Sequence, residues 1–158
     1  MEGFGPHDHV GCISDAMNAA EQHCTMQGLR LTKVRRRVLE ILLQEHVALG
    51  AYDILERLRK EGLGSQPPVA YRALDFLVTN GFAHKVERLN AFVACSHPGK
   101  RHSPAFMICR QCETVAETLS SVTKGALGAA ARTAGFSIER TVVEAEGLCP
   151  ECQGSPLA

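Results

Sequence analysis

Two cysteine pairs, Cys109-Arg110-Gln111-Cys112 and Cys149-Pro150-Glu151-Cys152, constrain this chain more than any other feature. Two thiols three positions apart can face one point when a tight turn separates them. Two such turns supply four thiolates, a closed tetrahedral shell for zinc. The 36 residues between Cys112 and Cys149 leave room for a helix and strands, so a metal held there would staple the two ends of a small domain. A redox dithiol is the competing reading of a single such motif, and the second motif argues against it.

A chain of 158 residues is one domain or two small ones. At 45% hydrophobic and 5% aromatic, with no Trp, its core must be built from aliphatic side chains. Pro6, His7, Asp8 and His9 stand where a secretory signal would need an apolar run, and no apolar stretch is long enough for a membrane span. Without a secretory signal, the seven cysteines suit a reducing cytoplasm and thiolate ligands rather than disulfides. The expectation is a cytoplasmic protein with no membrane partner, no enzymatic activity and no small-molecule substrate. Net charge is zero, which advertises no affinity for nucleic acid, but five basic residues and no acid lie between Gly28 and Arg37. Such a run is ordinarily a solvated helix face. It becomes a phosphate-contact candidate only beside a DNA-reading motif.

Residues 1–12 show no periodicity and read as a flexible tail. His7-Asp8-His9 within it is a chance metal binder at most, and Cys12 is a bystander. Ser14 and Asp15 suit a helix start, and Met17, Ala20 and Cys24 recur at helical spacing until Gly28, which turns Cys24 inward. Thr32 is a good N-cap for a second helix with the stripe Val34, Val38, Leu39, Ile41 and Leu42, ending near Gln44. A third helix spans Tyr52 to Lys60. Pro67-Pro68 opens a fourth, which closes at Asn80-Gly81. Alternation then takes over in Phe82, His84 and Val86 and, beyond a turn, in Phe92 and Ala94, the pattern of a hairpin.

Helices followed by a two-stranded wing make a winged helix-turn-helix, in which the helix before the wing enters the major groove. That helix exposes Tyr71 and Arg72 near its start, which gives the basic residues Arg30, Lys33 and Arg35 a reason to sit at phosphates. Residues 96–104 read as a hinge. Beyond it the pattern is strand (Ala105–Cys109), strand (Thr114–Thr118), helix (Ser120–Thr133) and strand (Phe136–Ala145). The expected fold is α+β: a winged-helix domain over 13–95 followed by an α/β domain over 105–158 that carries the tetrathiolate zinc. His84, Cys95, His102 and Glu117 form a second candidate ligand set, suited to zinc because a soft thiolate disfavours magnesium and manganese. His97, Glu87 and Glu113 are rival ligands that spacing does not exclude.

The segment from Pro67 to Leu77, then Gly81-Phe82-Ala83-His84-Lys85-Val86-Glu87, together with Arg30-Leu31-Thr32 and Ala51-Tyr52-Asp53-Ile54-Leu55, closely resembles the ferric-uptake-regulator family. The tail end, from Val143 to Cys149 with Cys152, resembles its zinc-responsive members. The resemblance runs from about residue 14 to 152. It implies a homodimeric, zinc-dependent repressor of zinc-homeostasis genes that binds palindromic, AT-rich double-stranded DNA, with an α/β dimerisation domain and two zinc ions per subunit. It further implies structural zinc at Cys109, Cys112, Cys149 and Cys152 and regulatory zinc at His84, Cys95, His102 and Glu117, and it places Tyr52, Tyr71 and Arg72 against DNA. Where the family has Thr-Val before the Tyr-Arg pair, this chain has Val69-Ala70 and lacks the hydroxyl. The His-His-Asp-His cluster of the iron and peroxide sensors is absent near residues 97–105, which sets those siblings behind the zinc reading as alternatives. A dithiol oxidoreductase is the alternative from another class.

Overall fold

The computed structural model describes residue 4 and residues 8–98, 102–121 and 124–154. His7, residues 99–101 of the expected hinge and residues 155–158 lie outside the described residues. Of the remaining hinge positions, 96–98 and 102–103 form no helix or strand, and Pro104 opens a strand.

Helix α1 spans His9–Gln27, five residues ahead of the expected start at Ser14. Asp8 is the actual N-cap and accepts from the Gly11 N–H. Residues 8–12, read from sequence as tail, therefore form the cap and first turn of a helix. A contact distant in sequence holds this turn: the His9 ring stacks on His46 at 4.6 Å, and its Nε2 lies 3.1 Å from the Gln44 carbonyl. Met17, Ala20 and Cys24 are buried at the expected spacing. Helix α2 (Lys33–Gln44) is capped by the Thr32 side chain, which accepts from the Arg35 N–H, and buries Val38, Leu39, Ile41 and Leu42. Helix α3 spans Ala51–Lys60 and helix α4 spans Pro67–Thr79. The turn before α4 needs a glycine at 64, where φ is 152° and a Cβ would come within 2.7 Å of Val69 Cγ1.

Antiparallel strands β1 (Ala83–Val86) and β2 (Ala91–Ala94) make the wing, joined by a 3-10 turn over Glu87–Leu89 and by Asn90 in the left-handed region at φ 47°. The second half contains β3 (Pro104–Cys109), β4 (Val115–Leu119), α5 (Ala126–Thr133), β5 (Val143–Gly147) and a short α6 (Pro150–Gln153). The sheet order is β4-β3-β5, with β3 antiparallel to β4 and parallel to β5. Two expectations shrink. Helix α5 begins at Ala126 rather than Ser120, and only the last part of the expected strand Phe136–Ala145 pairs, from Val143 onward. Among the described residues, no strand pairs with the alternating stretch before Val143.

Two apolar clusters result. The larger gathers α1 to α4 with Leu49, Phe82, Ala83 and Phe92. The smaller joins the two halves: Val86 and Val93 of the wing and Ala48 meet Phe106, Ile108 and Val115 of the sheet. The loop after α2 is stitched to both sides. Leu49 and Phe92 exchange backbone hydrogen bonds of 2.9 and 2.8 Å, and the Val115 N–H donates to the His46 carbonyl at 2.8 Å.

Leu74 is fully buried on α4. Leu74→Ala should cost about 2–5 kcal/mol in chemical denaturation, whereas Tyr52→Ala, at an exposed site, should stay within about 0.5 kcal/mol.

Candidate metal centres and nucleic-acid face

The first cysteine pair sits on a turn forced tight by Glu113, which takes a left-handed φ of 63° and donates its N–H to the Cys109 carbonyl. The second straddles the start of α6. Parallel pairing of β3 with β5 carries the two to one end of the sheet: Cys109 is opposite Gly147, and the Arg110 N–H donates to the Gly147 carbonyl at 2.9 Å. The four sulfurs lie within 4.8 Å of one another. Cys112 Sγ and Cys149 Sγ are 3.7 Å apart. Thiolates at the corners of a zinc tetrahedron stand about 3.8 Å apart, so the donor set fits the ion. Backbone N–H groups, that of Cys112 first and Cys149 next, hold the Cys109 thiol down to about 6. The hydroxyl and N–H of Thr114 lower Cys112. Both shifts favour the metal-binding form of the first cysteine pair.

The second set draws on four separate elements: His84 on β1, Cys95 just past β2, His102 before β3 and Glu117 on β4. Glu117 Oε1 is the hub, 3.2 Å from His84 Nε2 and 2.7 Å from His102 Nε2. The two imidazole nitrogens are 3.3 Å apart, and Cys95 Sγ is 3.5 Å from His102 Nε2 and 4.0 Å from Glu117 Oε1. Nitrogen, oxygen and sulfur donors around tetrahedral zinc stand about 3.3–3.8 Å apart, close to most of these spacings. The other Glu117 oxygen accepts the Ser96 N–H at 2.8 Å, leaving one oxygen to face the cluster. Burial would push the Glu117 carboxyl up, but His84, the Ser96 N–H and His102 outweigh it and bring it down to about 2. Burial, aided by the Glu117 charge, pushes the Cys95 thiol up to about 12.

The rivals fall outside this cluster. Glu113 serves the cysteine turn, and Glu87 pairs with Arg140 and Lys85. His97 donates its N–H to Cys95 Sγ at 3.3 Å and sets its ring edge-on to His102 at 5.8 Å, but it is not among the four converging donors.

In the first half, Tyr52 is 70% exposed on α3 and Tyr71 is 44% exposed on α4, with Arg72 exposed next to it in sequence. Arg30 and Lys33 are exposed as well and make no ion pair among the described residues. Arg35 departs from expectation. Its guanidinium lies over the Phe76 ring at 3.8 Å and donates to the Arg30 carbonyl at 2.7 Å, so it holds α2 to α4 instead of reaching outward. Arg36 pairs with Glu21, and Arg37 with Glu61 and Glu40. Val69, where the family hydroxyl is missing, packs against the larger cluster, and Ala70 is fully buried. Sequence reasoning missed the wing-tip carboxylates Glu144 and Glu146, for which no local signal exists.

The ferric uptake regulator family pattern matches residues 26–145. The zinc uptake regulation protein of Escherichia coli (strain K12) is 38% identical over 134 residues, 84% of this chain and 78% of that protein. A zinc uptake regulator solved in complex with zinc and DNA matches at TM-score 0.84 and 36% identity, covering 89% of this chain and 95% of that one. Holo XcZur matches at TM-score 0.79 and 39% identity over 88% and 97%. The apo form of XcZur, at the same 39% identity and over 91% and 99%, reaches only 0.52. The overall arrangement of this chain is therefore closer to the holo form.

Metal capture at the mixed-ligand set should release a proton from Cys95, because a thiol raised to about 12 is protonated at neutral pH. Glu117, ionised above about 2, should contribute none there. Zinc affinity should rise with pH, by about tenfold per unit through Cys95 alone. Calorimetric titrations in buffers of different ionisation enthalpy count the protons, and Cys95→Ser should lose one of them.

Proposed function

The chain belongs to the ferric uptake regulator family, and from that premise we propose that it is a zinc-dependent, DNA-binding repressor of zinc-uptake genes. The observation that carries this reading is the mixed-ligand cluster, whose four donors come from both halves of the chain. His84 and Cys95 belong to the wing and its end, Glu117 to the sheet, and His102 to the segment between. Zinc, when bound, supplies a doubly charged centre that these four donors share. Sharing that centre, the four residues would hold the wing against the sheet and so select one orientation of α4. The cysteine cluster is the structural site and would stay filled, giving two zinc ions per subunit.

Helix α4 is the reading helix. Tyr71 and Arg72 meet base edges or adjoining phosphates, and Tyr52, Arg30 and Lys33 meet the backbone. A second copy of the chain completes the assembly. Phe136, Val142 and Leu127 are 68%, 49% and 53% exposed around an apolar groove between α5 and the unpaired stretch before β5. A partner chain covering that groove makes a homodimer, whose symmetry calls for a palindromic operator, here AT-rich. A dithiol oxidoreductase has less support, since all four clamp sulfurs converge on one point. An iron- or peroxide-sensing sibling has less too, since the donor set includes a buried thiolate.

Zinc titration with duplex binding as the readout tests the whole proposal. DNA affinity should rise as the second ion binds, by the upper end of a coupling of about 1–3 kcal/mol, and DNA should tighten that ion equally. Cys95→Ser should remain folded and lose this zinc response, while Cys112→Ser should impair folding or dimerisation itself. Arg72→Ala should cost about 1–3 kcal/mol on specific DNA if it reads a base edge. Equal loss on all sequences would assign it to phosphate.

A further inference from the structure

Neither metal cluster nor the DNA face accounts for Glu144. Its carboxylate accepts the backbone N–H of Glu87 at 2.6 Å and of Arg88 at 2.9 Å, at the start of the 3-10 turn that tips the wing. The first N–H groups of such a turn have no partner within it. Glu144, 57 positions away, caps them from the other half of the molecule. Glu146 beside it takes the Arg88 guanidinium through two bonds of 2.7 and 3.1 Å, and Arg140 pairs with Glu87.

The strand register explains the placement. Phe106 is opposite Glu117 on β4 and opposite Glu144 on β5. The three residues form one row across the sheet with their side chains on one face, the two carboxylates about 10 Å apart. The wing lies along this row. His84 stands at Glu117, with its ring 5.8 Å from that of Phe106. Val86 packs with Phe106 and Ile108, and Glu87 and Arg88 reach Glu144. Helix α4 runs into β1 through a tight turn in which the Phe82 N–H donates to the Leu77 carbonyl at 2.8 Å, so the wing and α4 turn together.

One attachment point leaves a hairpin free to pivot, whereas two points with an apolar pad between them fix its rotation. We propose that Glu144 is the second anchor of the wing, a positioning residue that turns ion capture at the four-ligand cluster into a single orientation of α4. This rests on the zinc-sensing reading above and extends it to a residue that touches neither metal nor DNA.

Amide hydrogen exchange on the full chain reads the Glu87 and Arg88 N–H groups directly, zinc-loaded and chelated. In the unaltered protein both should exchange slowly with zinc and at least about tenfold faster after chelation. Glu144→Ala should bind zinc in the same stoichiometry, exchange both amides fast in either state, and lose about tenfold in zinc-loaded affinity for a palindromic AT-rich duplex. Glu144→Gln, which keeps one acceptor, should fall between the two, and it carries the same readouts if the alanine variant does not fold. Unchanged affinity in Glu144→Ala, or amides still protected there, overturns the anchor. Zinc-dependent protection in the unaltered chain without any zinc effect on DNA would support the anchor and remove the repressor reading.

Discussion

Four sulfurs at one end of a three-stranded sheet decide whether the second half of this chain has a structure to offer. Among the described residues its buried apolar side chains are few: Ala105, Phe106, Ile108, Val115, Ala116 and Ala131, together with Cys109 and Cys149 themselves. A core that small falls short of the conformational entropy of the segment it must order. Structural zinc contributes about 10–16 kcal/mol in small metal-stapled folds, and an ion shared by these four sulfurs would add to the core on that scale. The staple also sets geometry. It joins the end of β3 to the end of β5, and the parallel pairing of those strands fixes the register that puts Glu117, Phe106 and Glu144 in one row.

That row is a platform, and the wing lies against it. Much of the contact between the halves is polar or small: the mixed-ligand cluster, the carboxylates at the wing tip, and the apolar pad around Val86. A seam of this kind opens and closes at modest cost, because it holds no large hydrophobic core that must be broken. The XcZur comparison is consistent with such a seam, since two forms of one relative differ widely in their likeness to this chain at equal identity. The Val115–His46 backbone bond ties the loop after α2 to the same sheet, so closure involves the helical half beyond the wing.

Local patterns made part of this legible in the sequence. The stripe of α2, the proline entry to α4 and the cysteine pairs are signals within a few residues, and each stands where its spacing put it. Features that depend on distant partners were not legible. Helix α1 gains a first turn because His9 finds His46, and no residue near position 9 announces that contact. Arg35 looks like its neighbours in the basic run until Phe76 comes beneath it. The stretch before Val143 alternates like a strand but has no partner strand among the described residues. The mixed-ligand cluster needed the family resemblance, because His97, Glu87 and Glu113 were equally acceptable by spacing. Glu144 was hidden entirely, since only the β3–β5 register brings it to the wing tip.

Charge separates the roles of the two metal sites. Four thiolates around a divalent ion leave a formal charge of −2, which N–H groups and the Thr114 hydroxyl help to offset. Such a site is built to hold its ion. The mixed set balances differently, because one thiolate and one carboxylate just neutralise a divalent ion, and the two imidazoles add none. A neutral centre can be buried at the seam with little desolvation penalty. Without an ion, the pocket holds one buried carboxylate, kept low by His84 and the Ser96 N–H, beside a Cys95 thiol pushed up by burial. On the proposed reading, occupancy would change the electrostatics where the wing meets the sheet, and the Glu144 contact at the far end of the row would carry that change to α4.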